Sequence, residues 1–175
     1  MNTKSNTIWK SLALGALVAV FFATAGTASA DTDSRSFSAQ IYSGYTTSVN
    51  GHNGFSVGGK GLVSINPNLR LGGVAYYENM HRTNDHFGGI AFVIDYVAPI
   101  KHYVSFFVGS HFGMYTGTMG PAIYAEPGLG LNFTIAKMGI EWRIGSRVPW
   151  YVGKNIFKAE RDVQVLTTLS FAFQR

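Results

Sequence analysis

Residues 137–147, which read KMGIEWRIGSR, alternate apolar side chains with small or charged ones over their whole length. The apolar positions run from Met138 to Ile144, and Glu141 and Arg143 fall between them. A repeat of two residues indicates a β-strand with one apolar and one polar face. The two faces leave two folds open. In a soluble β-protein the polar face meets water, whereas in a membrane barrel the apolar face meets lipid and the polar face lines the interior.

The same alternation recurs along the chain, and the sequence predicts eight strands and no convincing helix. The strands are expected near residues 36–47, 55–65, 69–79, 88–98, 102–115, 123–135, 138–147 and 162–173. Their lengths match or exceed the ~9–11 residues that a tilted strand needs to cross a bilayer.

The connections between these segments alternate between short and long. Short turns are predicted at NPN (66–68), PIK (99–101) and AK (136–137), whereas links such as SVNGHNG and MHRTNDH are longer and polar. Short turns at one end and long loops at the other are typical of bacterial outer-membrane barrels.

The polar face of the strands carries glycine, serine and isolated charges, and charged residues make up only 13% of the chain. Such side chains suit the inside of an eight-stranded barrel, whose interior is just wide enough for side chains, and the bulky apolar face then meets lipid. We therefore predict an all-β fold, an eight-stranded antiparallel transmembrane up-and-down β-barrel. The alternative is a lipocalin-like soluble barrel, which would leave the glycine- and serine-rich face as a poor solvent surface.

Charged residues of inward parity are expected to form an interior polar network. They are Lys60, Arg70, Glu78, Asp95, Glu126, Glu141 and Arg143, together with His111. Unpaired charges are costly to bury, so these groups should pair across the lumen and close it. A gated or narrow ion path is the alternative, and the sequence does not specify which charges pair.

The first thirty residues have the features of a secretory signal peptide. Lys4 and Lys10 precede the apolar run 11–23, and the small residues Ala28-Ser29-Ala30 form a cleavage pattern. The apolar run is shorter than a spanning helix requires. We expect residues 1–30 to be removed and residues 31–175 to form one barrel domain. The chain has no cysteine and is only mildly basic, so neither a disulfide framework nor a nucleic-acid partner is expected.

The chain resembles the small eight-stranded OmpA/OmpX-type barrels of Gram-negative outer membranes. The resemblance is carried by the signal ending ASA, the alternating strands, the short turns and the last strand, LTTLSFAFQR. One departure is that Gln174 and Arg175 follow Phe173, where members of the family usually end on the aromatic residue. The resemblance implies an outer-membrane monomer with extracellular long loops and periplasmic termini. Its expected partners are outer-membrane lipids, lipopolysaccharide and, during biogenesis, the barrel-assembly machinery.

The segment 78–86, ENMHRTNDH, gathers residues that could carry chemistry. His and carboxylate side chains can bind zinc, but the spacing of His81 and His86 matches no standard site. We expect ordinary solvated loop residues here and no metal or cofactor. The weak candidates for a catalytic role are His81, Asp85 and His111.

A fainter resemblance to lipid A palmitoyltransferase barrels rests on the strand rhythm of GGIAFVIDYVAPIKHYVSFFVG. Those enzymes carry an Asp-Ser pair after the third strand, where this chain has Asn79 and Met80. The His-x-Ser pattern of the lipid A deacylases is also missing from the sequence. An acyltransferase or deacylase therefore stays an alternative function.

The last long loop, RVPWYVGKNIFKAERD, combines basic and aromatic residues. Arg147, Lys154, Lys158 and Arg161 could pair with lipopolysaccharide phosphates or contact a host surface. An ordinary solvated loop is the alternative. The predicted function is a non-enzymatic surface role in envelope integrity, adhesion or lipopolysaccharide and host contact. A lipid A-modifying enzyme and a narrow pore are the alternatives.

Overall fold

The computed structural model describes residues 36–48, 53–81, 85–118, 120–135, 138–151 and 163–174. The predicted signal peptide, residues 1–30, lies outside the described residues. The described part contains strands and turns and no helix. Accordingly, no helix in this part is long and apolar enough to cross a membrane.

Eight strands follow one another along the chain, as the alternation predicts. They are β1 (Phe37–Ser48), β2 (Asn53–Asn66), β3 (Leu69–Met80), β4 (Asp85–Lys101), β5 (Val104–Gly117), β6 (Ala122–Ile135), β7 (Met138–Tyr151) and β8 (Gln164–Gln174). They are 11 to 17 residues long.

Each strand pairs antiparallel with the strands next to it in sequence, and β1 also pairs with β8. Ile41 shows the closure, since it lies between Gly59 of β2 and Phe171 of β8. A closed barrel pairs the backbone groups of every strand on both sides and leaves no free edge. The predicted fold class, an eight-stranded antiparallel up-and-down barrel, is confirmed.

The two faces of the barrel are sorted as the sequence predicts. Large apolar side chains cover the outside; Ile41 is 64% exposed and Phe92 is 49% exposed. At the neighbouring inward positions of β4, the side chains of Val93 and Asp95 are fully buried. The orientation follows from the strand geometry, in which successive side chains point to opposite faces.

The short turns are close to their predicted positions, with one shift. Pro67 and Asn68 connect β2 to β3, and the Asn68 side-chain amide donates to the carbonyl of Val97 at 2.8 Å. The PIK segment was predicted as a turn, but Pro99–Lys101 belongs to β4, and the turn is His102–Tyr103. Residues 136–137 lie outside the described part.

Strand β7 is longer than predicted, and this changes the interior of the barrel. The strand was predicted to end at residue 147, with a long loop from Val148, but it continues through Pro149 to Tyr151. Pro149 is fully buried and lies opposite Tyr124 of β6. Because the strand continues, Arg147 keeps the inward parity of Glu141 and Arg143.

Candidate functional site

The lumen holds four basic and four acidic side chains among the described residues. They are Lys60, Arg70, Arg143 and Arg147 with Glu78, Asp95, Glu126 and Glu141. Their side chains are at most 11% exposed. They come from β2, β3, β4, β6 and β7, so the set crosses the barrel from wall to wall.

The half of this set nearer the short turns is joined through two carboxylates. Lys60 pairs with Glu141 Oε1. Arg70 Nη2 lies 3.0 Å from Glu141 Oε2 and 3.2 Å from Asp95 Oδ2. Glu141 therefore contacts two cations, and Arg70 contacts two anions.

The half nearer the long loops continues the same alternation. Arg143 Nη1 lies 3.3 Å from Asp95 Oδ1, and its Nε lies 3.8 Å from Glu126 Oε1. Arg147 Nη2 is 3.1 Å from Glu126 Oε2, and its Nη1 is 2.7 Å from Glu78 Oε2. The eight side chains form one line of alternating sign, which runs from Lys60 to Glu78. We call this line the charge chain.

The charge chain accounts for the burial of so many ions. A single ion removed from water costs several kcal/mol unless well-placed partners compensate it. Six of the eight members contact two ions of opposite sign, and the formal charges of the eight cancel. The lumen is thus electrically neutral and filled by the charged side chains themselves.

Aromatic rings fill the space between the ions. Phe107 is fully buried, with the Arg70 guanidinium 5.2 Å and the Arg143 guanidinium 5.9 Å from its centroid. The Arg147 guanidinium lies 4.8 Å from the centroid of Tyr76 and 4.9 Å from that of Tyr124. Cation–π contacts of this length are attractive and strengthen where water is excluded.

The loop end of the lumen is closed by an apolar layer. Phe87 and Tyr115 pack edge to face at 5.2 Å, and Tyr115 also contacts Tyr124 at 5.8 Å. Met80 and Ala122 belong to the same cluster. The interior was predicted to be small and polar, and these inward aromatic residues were not predicted. The signal that could have found them was their parity, since Phe87 and Tyr115 alternate with outward side chains.

Two glycines make room for the charge chain. A Cβ at Gly128 would lie 2.7–2.8 Å from the Arg143 guanidinium, and one at Gly109 would lie 2.2 Å from Asp95 Oδ1. Both distances are far below van der Waals contact. Arg143 and Asp95 therefore lie against strand positions that have no side chain.

A small cavity of about 20 Å³ remains inside the lumen. It is lined by Ser56, Tyr76, His111, Tyr124 and other inward residues. His111 Nδ1 lies 3.2 Å from Glu126 Oε1, which ties the histidine to the charge chain. A polar cavity of this size can hold a water molecule but has no room for a hydrated ion.

The structure brings the seven predicted interior residues together in the lumen, where all of them belong to the charge chain. Arg147 is a correction. It was predicted as a loop contact for lipopolysaccharide, but it is 4% exposed within the barrel and pairs with Glu78 and Glu126. Lys154, Lys158 and Arg161 lie outside the described residues.

The weak catalytic candidates are not brought into one site. His111 lies in the lumen, whereas His81 and Asp85 lie at the loop ends of β3 and β4. Asp85 Oδ1 accepts a hydrogen bond from the Thr118 hydroxyl. Within the described ranges, no three His, Cys, Asp or Glu side chains are placed to hold a metal ion.

Comparison with known proteins identifies the fold. No protein-family model matches the sequence, and no curated protein matches it. Neisserial surface protein A (NspA) is 14% identical with a TM-score of 0.59, over 79% of this chain and 96% of that chain. The outer membrane enzyme PagL is 13% identical with a TM-score of 0.55, over 77% of this chain and 98% of that chain. The predicted resemblance to small eight-stranded outer-membrane barrels is confirmed at the level of fold.

Proposed function

We propose that this chain is a non-enzymatic surface barrel of the Gram-negative outer membrane. Its lumen is sealed by the charge chain, and its long loops act in envelope integrity, adhesion or contact with lipopolysaccharide and host surfaces. The observation that carries the proposal is the combination of a neutral, filled interior with an apolar exterior. Such a molecule is a scaffold whose variable and accessible parts are its loops.

The apolar exterior supports a place in a membrane. Exposed large apolar side chains occur on every wall of the barrel, for example Val57, Phe112, Leu129 and Leu169. Soluble monomers rarely expose continuous apolar surface on this scale. Closed barrels satisfy their backbone hydrogen bonds internally, as hydrocarbon requires. We place the long loops outside the cell and both termini in the periplasm, with the protein inserted as a monomer by the assembly machinery.

The filled lumen favours a surface role over a pore. An ion that crossed the barrel would have to displace Phe107 and separate Arg143 from Asp95, both of which are fully or nearly fully buried. Planar-bilayer recording of the purified protein tests this reading. We expect no steady conductance, and stepwise openings in the unmodified protein would contradict the sealed lumen.

An enzymatic role in lipid A modification is the competing proposal. PagL is an outer membrane enzyme, but a likeness at 13% identity concerns the fold alone. The separation of His111 from His81 and Asp85 supports the non-enzymatic proposal. Mass spectrometry of lipid A from cells with and without the protein tests it. An unchanged acyl pattern is expected, and a gained or lost acyl chain would overturn the proposal.

A further inference from the structure

The outer face of β3, β4 and β5 changes from polar to apolar at one level near the long loops. At the rim, Asn79 lies opposite His86. Two residues further toward the turns, Gly88 lies between Tyr77 and Thr116. We call these five residues the rim notch.

The two rows below the rim notch carry no polar side chain. Ile90 lies between Ala75 and Met114 in the first of these rows. In the next, Phe92 pairs with Phe112, and both side chains are about half exposed. The boundary between the polar and the apolar outer surface of these strands therefore falls between Gly88 and Ile90.

His86 is held in a defined orientation at the rim. Tyr77 Oη lies 2.6 Å from His86 Nδ1, and the two rings are stacked with centroids 5.9 Å apart and an interplanar angle of 18°. When the phenol O–H donates to Nδ1, the proton of the neutral imidazole is carried by Nε2. Nε2 is then a fixed hydrogen-bond donor on the far side of the ring from Tyr77.

Gly88 leaves a depression at the centre of the rim notch. A Cβ at this position would meet no atom within 4 Å, unlike the crowded Gly109 and Gly128 of the lumen. The exposed side chains of Tyr77 and Thr116 flank the depression, and Ile90 lies below it. The notch is thus open to the surroundings of the barrel and has hydroxyl groups on both sides.

The spacing of these rows matches the layers of a bilayer. Two residues along a strand span about 6.8 Å, or about 5 Å along the membrane normal at the usual strand tilt. The polar layer on each side of the hydrocarbon is about 5–7 Å thick. The outer surface changes between Gly88 and Ile90, so we place the hydrocarbon edge midway between them. Gly88 then lies about 2.5 Å into the polar layer, on the side of the acyl esters, and His86 lies about 7.5 Å from the edge, on the outer side with the phosphates.

We infer that the rim notch is a binding site for a phosphate-bearing diacyl lipid. The inference rests on the proposed place of the barrel in a membrane. His86 Nε2 donates to a phosphate oxygen, the glycerol ester region lies in the depression over Gly88, and the chains lie on Ile90, Phe92 and Met114. The Asp85 carboxylate accepts a hydrogen bond from Thr118 at the same rim.

Native mass spectrometry of the protein released from detergent micelles tests the site. Phosphatidylglycerol is the probe, diacylglycerol is the arm with chains and no phosphate, and glycerol phosphate is the arm with phosphate and no chains. We expect retention of phosphatidylglycerol and little of the other two. His86→Ala should weaken retention about fivefold, which corresponds to one hydrogen bond of about 1 kcal/mol. Tyr77→Phe should weaken it less, because the ring stacking remains.

The matched control is Tyr45→Phe. Tyr45 is also an outward, exposed tyrosine near the loop end of a strand, but it lies on β1 beside Phe55. The inference is overturned if His86→Ala and Tyr45→Phe retain the lipid equally, or if diacylglycerol binds as well as phosphatidylglycerol. Retention of glycerol phosphate alone would also contradict it. Failure of membrane embedding itself is measured separately, by the quenching of Trp142 fluorescence by brominated lipids.

Discussion

Arg147 and Glu78 meet across the full width of the barrel, with Arg147 Nη1 2.7 Å from Glu78 Oε2. Arg147 belongs to β7 and Glu78 to β3, which lie four strands apart around an eight-stranded barrel and are therefore on opposite walls. The pair ties together two walls that share no backbone hydrogen bonds. It is also the end of the charge chain nearest the long loops.

Removal of Arg147 should be costly because it leaves two buried carboxylates with fewer partners. We expect Arg147→Met to lower the free energy of unfolding by about 3–5 kcal/mol. In the double variant Arg147→Met/Glu78→Gln, the free energy of unfolding should recover by about 1 kcal/mol or more, because the unpaired buried carboxylate of Glu78 is then removed. Urea unfolding from lipid vesicles, followed by tryptophan fluorescence, measures both values. Lys101→Met, at an exposed position of β4, is the control, and an equal loss in that variant would contradict the prediction.

Gly128 should not tolerate even a methyl group. Gly128→Ala places a Cβ within 2.8 Å of the Arg143 guanidinium, so the cation must leave its place between Asp95 and Glu126. Overpacking of this kind costs about 1–3 kcal/mol. Gly88→Ala is the matched control, since it enters open space and should change stability by less than about 0.5 kcal/mol. Similar unfolding midpoints for the two variants would argue against the packing described.

Trp142 should report the depth of the barrel in the bilayer. It lies four residues into β7, is 42% exposed, and donates its indole N–H to the Thr167 hydroxyl at 3.1 Å. In a Trp150→Phe background it is the only tryptophan of residues 31–175. Lipids brominated in the middle of the chain should quench it more strongly than lipids brominated near the headgroup. The absence of any quenching in vesicles would show that the apolar exterior does not face lipid.

The basic residues of the last loop remain candidates for lipopolysaccharide contact. Replacement of Lys154, Lys158 and Arg161 by Ala should weaken binding of purified lipopolysaccharide about tenfold or more, since each cation contributes about 1 kcal/mol near an anionic surface. Lys101→Ala, beside a short turn, should leave binding unchanged. Arg147 is left out of this set because it is buried in the lumen. Equal affinities for the triple variant and the control would remove the loop from consideration.

The orientation of the barrel can be measured with single cysteines, because the chain has none of its own. Lys154→Cys should react with a membrane-impermeant thiol reagent on intact cells. Lys101→Cys, at the end with short turns, should react only after the outer membrane is permeabilised. The reverse pattern would place the long loops in the periplasm and contradict the proposed orientation.

The sequence predicted the fold and the set of inward charges because both depend on a local rule. Side chains alternate between the faces of a strand, so the parity of Lys60, Asp95 or Glu141 could be found without knowledge of their partners. The contrast between a face rich in glycine and a bulky apolar face then decided which side meets lipid.

The pairing of the charges could not be predicted in the same way. Contacts such as Arg147 with Glu78 depend on the register between strands and on the rotamers of long side chains. The end of β7 was also missed, because the stretch from Val148 was predicted as a loop, whereas β7 continues to Tyr151. Pro149 lies inside the strand, although proline is uncommon there. That one boundary moved Arg147 from the predicted loop contacts into the lumen.

Every member of the charge chain belongs to a strand, and none lies in a connection between strands. The ion pairs that fill the barrel therefore do not involve the segments that join the strands at the outer end. Foreign peptides grafted into those segments should therefore leave the stability of the barrel nearly unchanged.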